Sequence, residues 1–277
     1  MTSMIAALLV AAQALNPSIS VVAPNTLVSI FEKTEEFRQT YSVPSGTKVQ
    51  VKNANGEIKI SKWSEDYVEV YAEKKTNYGE DELAKVNIEV TVDDVMKIRT
   101  KYLEKNVRVS VKYDIKVPEG VTVQEVRTSN GEIELNGTAG NTKAMTSNGE
   151  IYVFDVEGIV SLETSNGEIE VRRTSGVLEA NTSNGEVHVE VHSIPEDGTN
   201  ISSSNGSIDV YISDEVNADL RAATSMGNVH LKDLELRSRF KVTSQASTLL
   251  TGEIGRGGGL ISVSTSNGEI ELHRLKK

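Results

Sequence analysis

Carboxylates recur in this sequence at fixed offsets from glycine, and that spacing is its one patterned signal with chemical content. One residue after Gly131, Gly149, Gly167, Gly185 and Gly268 stand Glu132, Glu150, Glu168, Glu186 and Glu269; three residues after a glycine stand Glu134, Glu170, Asp209 and Glu271. If these positions stack, like charges lie about 5 Å apart, which costs energy unless cations or basic neighbours offset it. The ladder of Glu132, Glu150, Glu168 and Glu186 could therefore hold Ca²⁺ or a cationic partner. The alternative is a solvated face whose load is shared by Lys143, Arg172 and Arg173. That alternative is the stronger, because Ca²⁺ sites usually add Asp and loop carbonyls, and the Gly-Asp nonapeptide of calcium-binding β-rolls is missing. No cofactor is implied, Ca²⁺ being the one candidate ion.

Other chemistry finds little purchase. His188, His192, His230 and His273 are the only histidines and show no metal-ligand spacing; His188 and His230 share the outward column of the acids and read as surface residues. There is no Gly-x-Ser-x-Gly elbow. No cluster of carboxylates breaks the repeat, as a lyase or glycosidase would require. The run Ile254-Gly255-Arg256-Gly257-Gly258-Gly259 lacks the Lys-Ser/Thr and the helix of a phosphate cradle and reads as a flexible inserted loop. Triplets at Asn136, Asn181, Asn200 and Asn205 match the glycosylation pattern, but an Asn/Ser/Thr-rich repeat produces them by chance. No catalytic residue is assigned, and the chain reads as a non-enzyme.

The elements that position these side chains follow from a repeat. Thr128-Ser129-Asn130-Gly131-Glu132-Ile133 recurs from Thr146, Thr164 and Thr265, with a Val variant from Thr182, and Gly131, Gly149, Gly167 and Gly185 are 18 residues apart. Looser copies surround Gly206 and Gly227. Two residues after the glycine come Ile133, Ile151, Ile169, Val187, Ile208, Val229 and Ile270; four after it come Leu135, Val153, Val171, Val189, Val210, Leu231 and Leu272. Period-2 alternation makes these the inward positions of a strand. Five before it, Val126, Ala144, Leu162, Ala180, Ile201, Ala222 and Val263 face the same core, and Thr128, Thr146, Thr164 and Thr182 join them.

Asn-Gly between alternating strands ordinarily signals a hairpin. Identical residues at identical offsets are instead what parallel in-register stacking produces. The fold class is therefore all-β, a parallel β-solenoid (β-helix) of about 18–21-residue rungs. Corners are formed by Asn130-Gly131, Asn148-Gly149, Asn166-Gly167, Asn184-Gly185 and Asn267-Gly268, with glycine at positive φ and each Asn amide laddering with the next. Between Gly227 and Gly268 lie 41 residues, close to two rungs, and Thr243-Ser244-Gln245-Ala246 is expected to form a degenerate rung there.

Three regions are expected. Residues 1–31 are an apolar leader: Met4 to Leu15 is uncharged, and Ala12-Gln13-Ala14 resembles a signal-peptide cleavage site. Ser18 to Phe31 could instead continue as an extended, donor-like strand. Residues 32–126 read as an antiparallel β region capping the repeats, with Asp93-Asp94 and Glu104-Lys105-Asn106 as turns and a short helical turn within Tyr78 to Lys85. The single copy Ala54-Asn55-Gly56-Glu57-Ile58 sits inside it. Residues 127–277 are the solenoid. With 29 basic against 40 acidic residues the net charge is −11, which argues against nucleic acid as partner. No cysteine is present, so disulfides and thiolate metal sites are excluded. No hydrophobic run beyond the leader could span a membrane.

Tyr41-Ser42-Val43-Pro44, the Val49 to Ile58 stretch, Tyr113-Asp114-Ile115-Lys116-Val117-Pro118 and the serial Ser-Asn-Gly-Glu-Ile units together resemble a bacterial and archaeal family of β-strand-repeat proteins. The family, a domain of unknown function, carries adhesin as a provisional label, and the similarity spans roughly Glu32 to Leu275. The resemblance implies a secreted or cell-surface solenoid with a right-handed coil, and supplies no catalytic or binding residues. The expected function is a non-enzymatic adhesion or binding module for a cell-surface or matrix component. The alternative is a self-associating structural subunit of an extracellular filament, assembling through strand addition by the N-terminal apolar segment, or end to end like bactofilin solenoids. The charged His273-Arg274-Leu275-Lys276-Lys277 after the last rung would oppose end-to-end growth.

Overall fold

The structure, a computed structural model, describes residues 32–243 and 247–276. The leader, with its signal-peptide and donor-strand readings, lies outside the described residues, as do Ser244, Gln245 and Ala246. Among the described residues, two sheets of 11 and 12 strands face each other across one core. Each repeat contributes one strand to each sheet and turns between them at its Asn-Gly corner, so rungs are named here by their corner glycine.

The register is the one the columns demand. Ile151 pairs in parallel with Ile133 and Ile169, Val187 with Ile169 and Ile208, and in the other sheet Ala144 with Val126 and Leu162. Alternation then sends Ile133, Leu135, Ile151 and Val153 inward from one sheet and Val126, Ala144, Leu162 and Ala180 from the other, all fully buried. Each such aliphatic contributes about 1.5–3 kcal/mol, too little for one rung to fold alone, so stability accumulates by stacking.

Polar ladders close the corners. The side-chain amide of Asn130 donates to Asn55 Oδ1 at 2.7 Å, and the pattern continues through Asn148, Asn166, Asn184 and Asn205 to Asn267. On the inner side, Thr146, Thr164 and Thr182 each donate to the glycine carbonyl of the preceding rung at 2.9–3.0 Å. These threonines are buried yet satisfied, which is why the column tolerates a hydroxyl and selects it. At Gly131, Gly149, Gly167 and Gly268 φ is +152° to +158°. The harder constraint there is steric: a Cβ on any of the seven stacked corner glycines from Gly131 on would lie 1.9–2.2 Å from the glycine carbonyl oxygen of the adjacent rung.

A second corner, six residues after the glycine, escaped the sequence reading. Gly137, Asp155, Arg173 and Asp233 occupy it with φ of +51° to +65°. Arg173 grips the Asp155 carboxylate of the neighbouring rung with two bonds of 2.6 and 2.9 Å.

The N-terminal region is mixed rather than purely antiparallel. Strands Lys33–Tyr41, Val68–Thr76 and Ser110–Val117 pair antiparallel, as do Val86–Val92 and Val95–Tyr102, and Glu80–Leu83 is the short helix. Lys48–Lys52, however, runs parallel to Thr122–Arg127, and Ile58–Lys62 parallel to Ile133–Asn136. The Gly56 copy is thus a rung in register with Gly131, and the antiparallel strands cover the stack beyond it.

At the other end the stacking order departs from the order in sequence. Strand Ile270–Arg274 lies between Ile208–Ile212 and Val229–Lys232, and Gly259–Asn267 lies between Thr199–Asn205 and Ala218–Met226. The Gly268 rung therefore rests directly on the Gly206 rung, and the Gly227 rung closes the stack above it. Thr243, the one described residue of the expected degenerate rung, ends strand Arg237–Thr243, which pairs antiparallel with Thr248–Ile254 rather than in parallel with a rung. Residues 255–258 turn the chain back, with Gly255 and Gly257 at φ +61° and +77°, so that the last copy can insert. The charges after Leu272 consequently do not guard an edge strand, because Ile270–Arg274 is interior to its sheet.

Candidate functional site

The outward face of the 11-stranded sheet carries the predicted acids. Stacked three residues past the glycine are Glu134, Tyr152, Glu170, His188, Asp209, Glu271 and His230. The ladder Glu132, Glu150, Glu168 and Glu186 runs beside them at the corner. Its charge is not balanced by the expected cations alone. Lys143 pairs with Glu163 and Arg173 with Asp155, away from the ladder, and Arg172 pairs with Glu170. Lys112 instead holds Glu57 at 2.7 Å, Lys59 holds Glu134 at 2.7 Å, and His188 approaches Glu186 and Glu168 at 3.4 and 3.9 Å.

These cations do not offset the whole cost of holding the ladder. Partial burial, then the carboxylates of Glu57, Glu150 and Glu134, raise the Glu132 carboxyl above its ordinary range, with Lys112 opposing. Burial likewise raises Glu168, and burial plus four surrounding glutamates push Tyr152 to about 12. A carboxyl whose folded pKa exceeds its unfolded value destabilises the fold fully above the folded pKa, and the penalty is lost as pH falls from there through the unfolded value. Glu132→Gln should therefore raise the melting temperature at pH 7, by less than about 2 °C, because solvent screens a carboxyl that is only partly buried. The gain should shrink as pH falls below the folded pKa of Glu132 and vanish below its ordinary, unfolded value. Melting curves of both proteins at pH 7 and at acidic pH check this, and an unchanged difference would contradict it.

The insertion of the last copy builds something the columns do not predict. It brings Glu271 and His273 beside Asp209 and Tyr211, 62 residues earlier in the chain. His188 Nδ1 lies 3.0 Å from Asp209 Oδ2, and this bond, opposed by burial, raises the imidazole above its ordinary value. His273 Nε2 is 3.4 Å from Glu271 Oε2 and 4.0 Å from Asp209 Oδ1, and its ring stacks on Tyr211 at 4.5 Å and 13°. Asp209, Glu271 and His273 thereby offer three donor atoms within 4.8 Å of one another. His188 and His273 are not free surface residues; His230 pairs with Glu269 at 3.1 Å and His192 with Glu190 at 3.3 Å. Beside the cluster opens a recess of about 480 Å³, walled by Arg172, Glu190, Tyr211, His273 and Arg274.

Sequence reasoning had Asp209 and Glu271 among the outward acids but two or more rungs apart. The equal offset of Asp209, Glu271 and the His230 position from their glycines was the available signal; the strand order was not.

Fold and face together define a parallel β-solenoid bearing a histidine–carboxylate cluster on one outer surface. The chain belongs to the Toastrack DUF4097 family, whose model matches residues 26–273, in agreement with the resemblance carried by its Ser-Asn-Gly-Glu-Ile units. Among solved structures it is similar to a candidate adhesin from Bacteroides fragilis, at 14% identity over 86% of this chain and 97% of that one, with a TM-score of 0.41. Similar too are a candidate cell adhesion protein from Clostridium sporogenes (13%, 87% and 100%, TM-score 0.37) and a candidate lipid-binding protein from Parabacteroides distasonis (16%, 87% and 96%, TM-score 0.38). No curated protein matches the chain. The family assignment rests on the sequence match, since scores this low carry no argument.

Proposed function

We propose that this protein is a non-enzymatic binding module of the cell surface or secreted space, in which the solenoid displays a recognition face. The observation that supports this is the recess on the 11-stranded sheet. There Arg172, Tyr211, His273 and Arg274 place cationic, aromatic and hydrogen-bonding groups side by side on a rigid, stacked scaffold. Elsewhere the repeat spends its side chains on architecture: Thr and Ile inward, Asn-Gly at the corner. Such a combination suits an anionic or polyhydroxylated surface component, held by Arg and stacked on Tyr. A plate assay of the full chain against defined glycans and matrix proteins tests it. Saturable binding lost in Arg172→Ala and Tyr211→Ala, both folded, is the expected result. Binding to none of them, or binding indifferent to both substitutions, would overturn this reading, as would recovery of the native protein solely from cytoplasm.

A structural, self-associating role is the second reading, and one observation favours it. Among the described residues, strand Arg237–Thr243 forms the outer edge of the 12-stranded sheet and is exposed throughout, with Phe240 and Val242 at 59% and 47%. A free edge of this kind accepts an added strand. Removing residues 1–31 without any change in assembly would eliminate the strand-donation version.

A further inference from the structure

We propose that Asp209, Glu271 and His273 bind one divalent transition-metal cation of the zinc type. The inference stands apart from the adhesion reading and needs no partner macromolecule. It rests on how the three side chains are held. Each carboxylate has one oxygen engaged by a basic neighbour: Asp209 Oδ2 by His188 Nδ1 at 3.0 Å, and Glu271 Oε1 by Lys232 Nζ at 3.4 Å. Their other oxygens, Asp209 Oδ1 and Glu271 Oε2, face His273 Nε2 at 4.0 and 3.4 Å. That nitrogen is inaccessible to solvent and has no hydrogen-bond partner, an uncommon state for a buried polar atom.

Distances and chemistry fit an ion at the centre. A cation about 2.0–2.2 Å from each ligand holds its donors up to roughly 4 Å apart. All three donor atoms already lie within 4.8 Å of one another, so small side-chain rotations close the set. Tyr211, stacked on the imidazole, fixes the ring plane, while His188 and Lys232 take the outer-shell role of orienting the ligating carboxylates. One imidazole with two carboxylates selects a borderline cation over Ca²⁺, which prefers an all-oxygen shell. This site is distinct from the glutamate ladder.

Calorimetric titration of the metal-free full chain with ZnCl₂ should give one saturable equivalent and a higher melting temperature, with Ca²⁺ producing neither. His273→Gln and Asp209→Asn should each weaken Zn²⁺ binding at least about tenfold, whereas His192→Gln should not. Should either variant fail to fold, Glu271→Gln provides a near-isosteric substitute. The unsubstituted chain should also develop a visible Co²⁺ absorption that Zn²⁺ displaces at one equivalent. Absence of saturable heat and of a displaceable Co²⁺ band would overturn the proposal. So would Zn²⁺ binding that survives the ligand substitutions, which would place the ion on the other surface histidines.

Discussion

Gly167→Ala is expected to cost this protein about 3–5 kcal/mol or to prevent folding, more than most single truncations of its core. The added Cβ would lie 2.0 Å from the carbonyl oxygen of Gly149 and 2.5 Å from its carbonyl carbon. Both are backbone atoms of the adjoining rung, so no rotamer change relieves the overlap. Relief requires the rungs to separate, which breaks the corner bond from Gly149 N to Asn166 O, the Asn ladder and the Thr164 hydroxyl bond together. Gly137→Ala is the control. Gly137 sits at φ +65°, but a Cβ there meets nothing nearer than Lys62 Cβ at 3.5 Å, so only the left-handed backbone penalty of roughly 1–2 kcal/mol applies. Urea denaturation of both variants measures the difference, and equal losses would show that corner conformation rather than rung contact selects glycine.

Leu272→Asp should destabilise both neighbouring strands at once, on the order of 3–5 kcal/mol, because an unpaired carboxylate would enter a fully buried position between two sheets. Sequence order places Leu272 in the terminal rung, where such damage would fray the end alone. The stack instead places it between Ile208–Ile212 and Val229–Lys232. Hydrogen exchange should therefore reveal lost protection in all three strands together. Retained protection in Val229–Lys232 would contradict the inserted order. The Asp209–Glu271 pairing should be lost in the same variant, since it depends on that insertion.

These two expectations mark the boundary between what can be read from the residues and what cannot. An inward Ile or Val two residues after each glycine, an inward Thr three before it and an Asn at the corner each recur at a constant offset. Parallel strands pair like with like only when the offset is constant, so solenoid, register and Asn ladder were all legible. The acidic face was legible for the same reason. Its counter-charges were not: Lys59 and Lys112 reach the face from strands the sequence separates from the repeats, while Lys143 and Arg173 turn to other partners.

Every copy of the repeat presents nearly the same edge, so any rung can rest on any other at little difference in local energy. Residue spacing alone thus specifies the shape of a rung and the faces its side chains take. The order of the rungs was decided by tertiary structure alone. The glycine turn at residues 255–258 and the hairpin before it return the chain to a position where the last copy fits between the Gly206 and Gly227 rungs. That choice brings Asp209, Glu271 and His273 together. No local pattern could report it, because every copy offers the final strand a nearly equivalent edge.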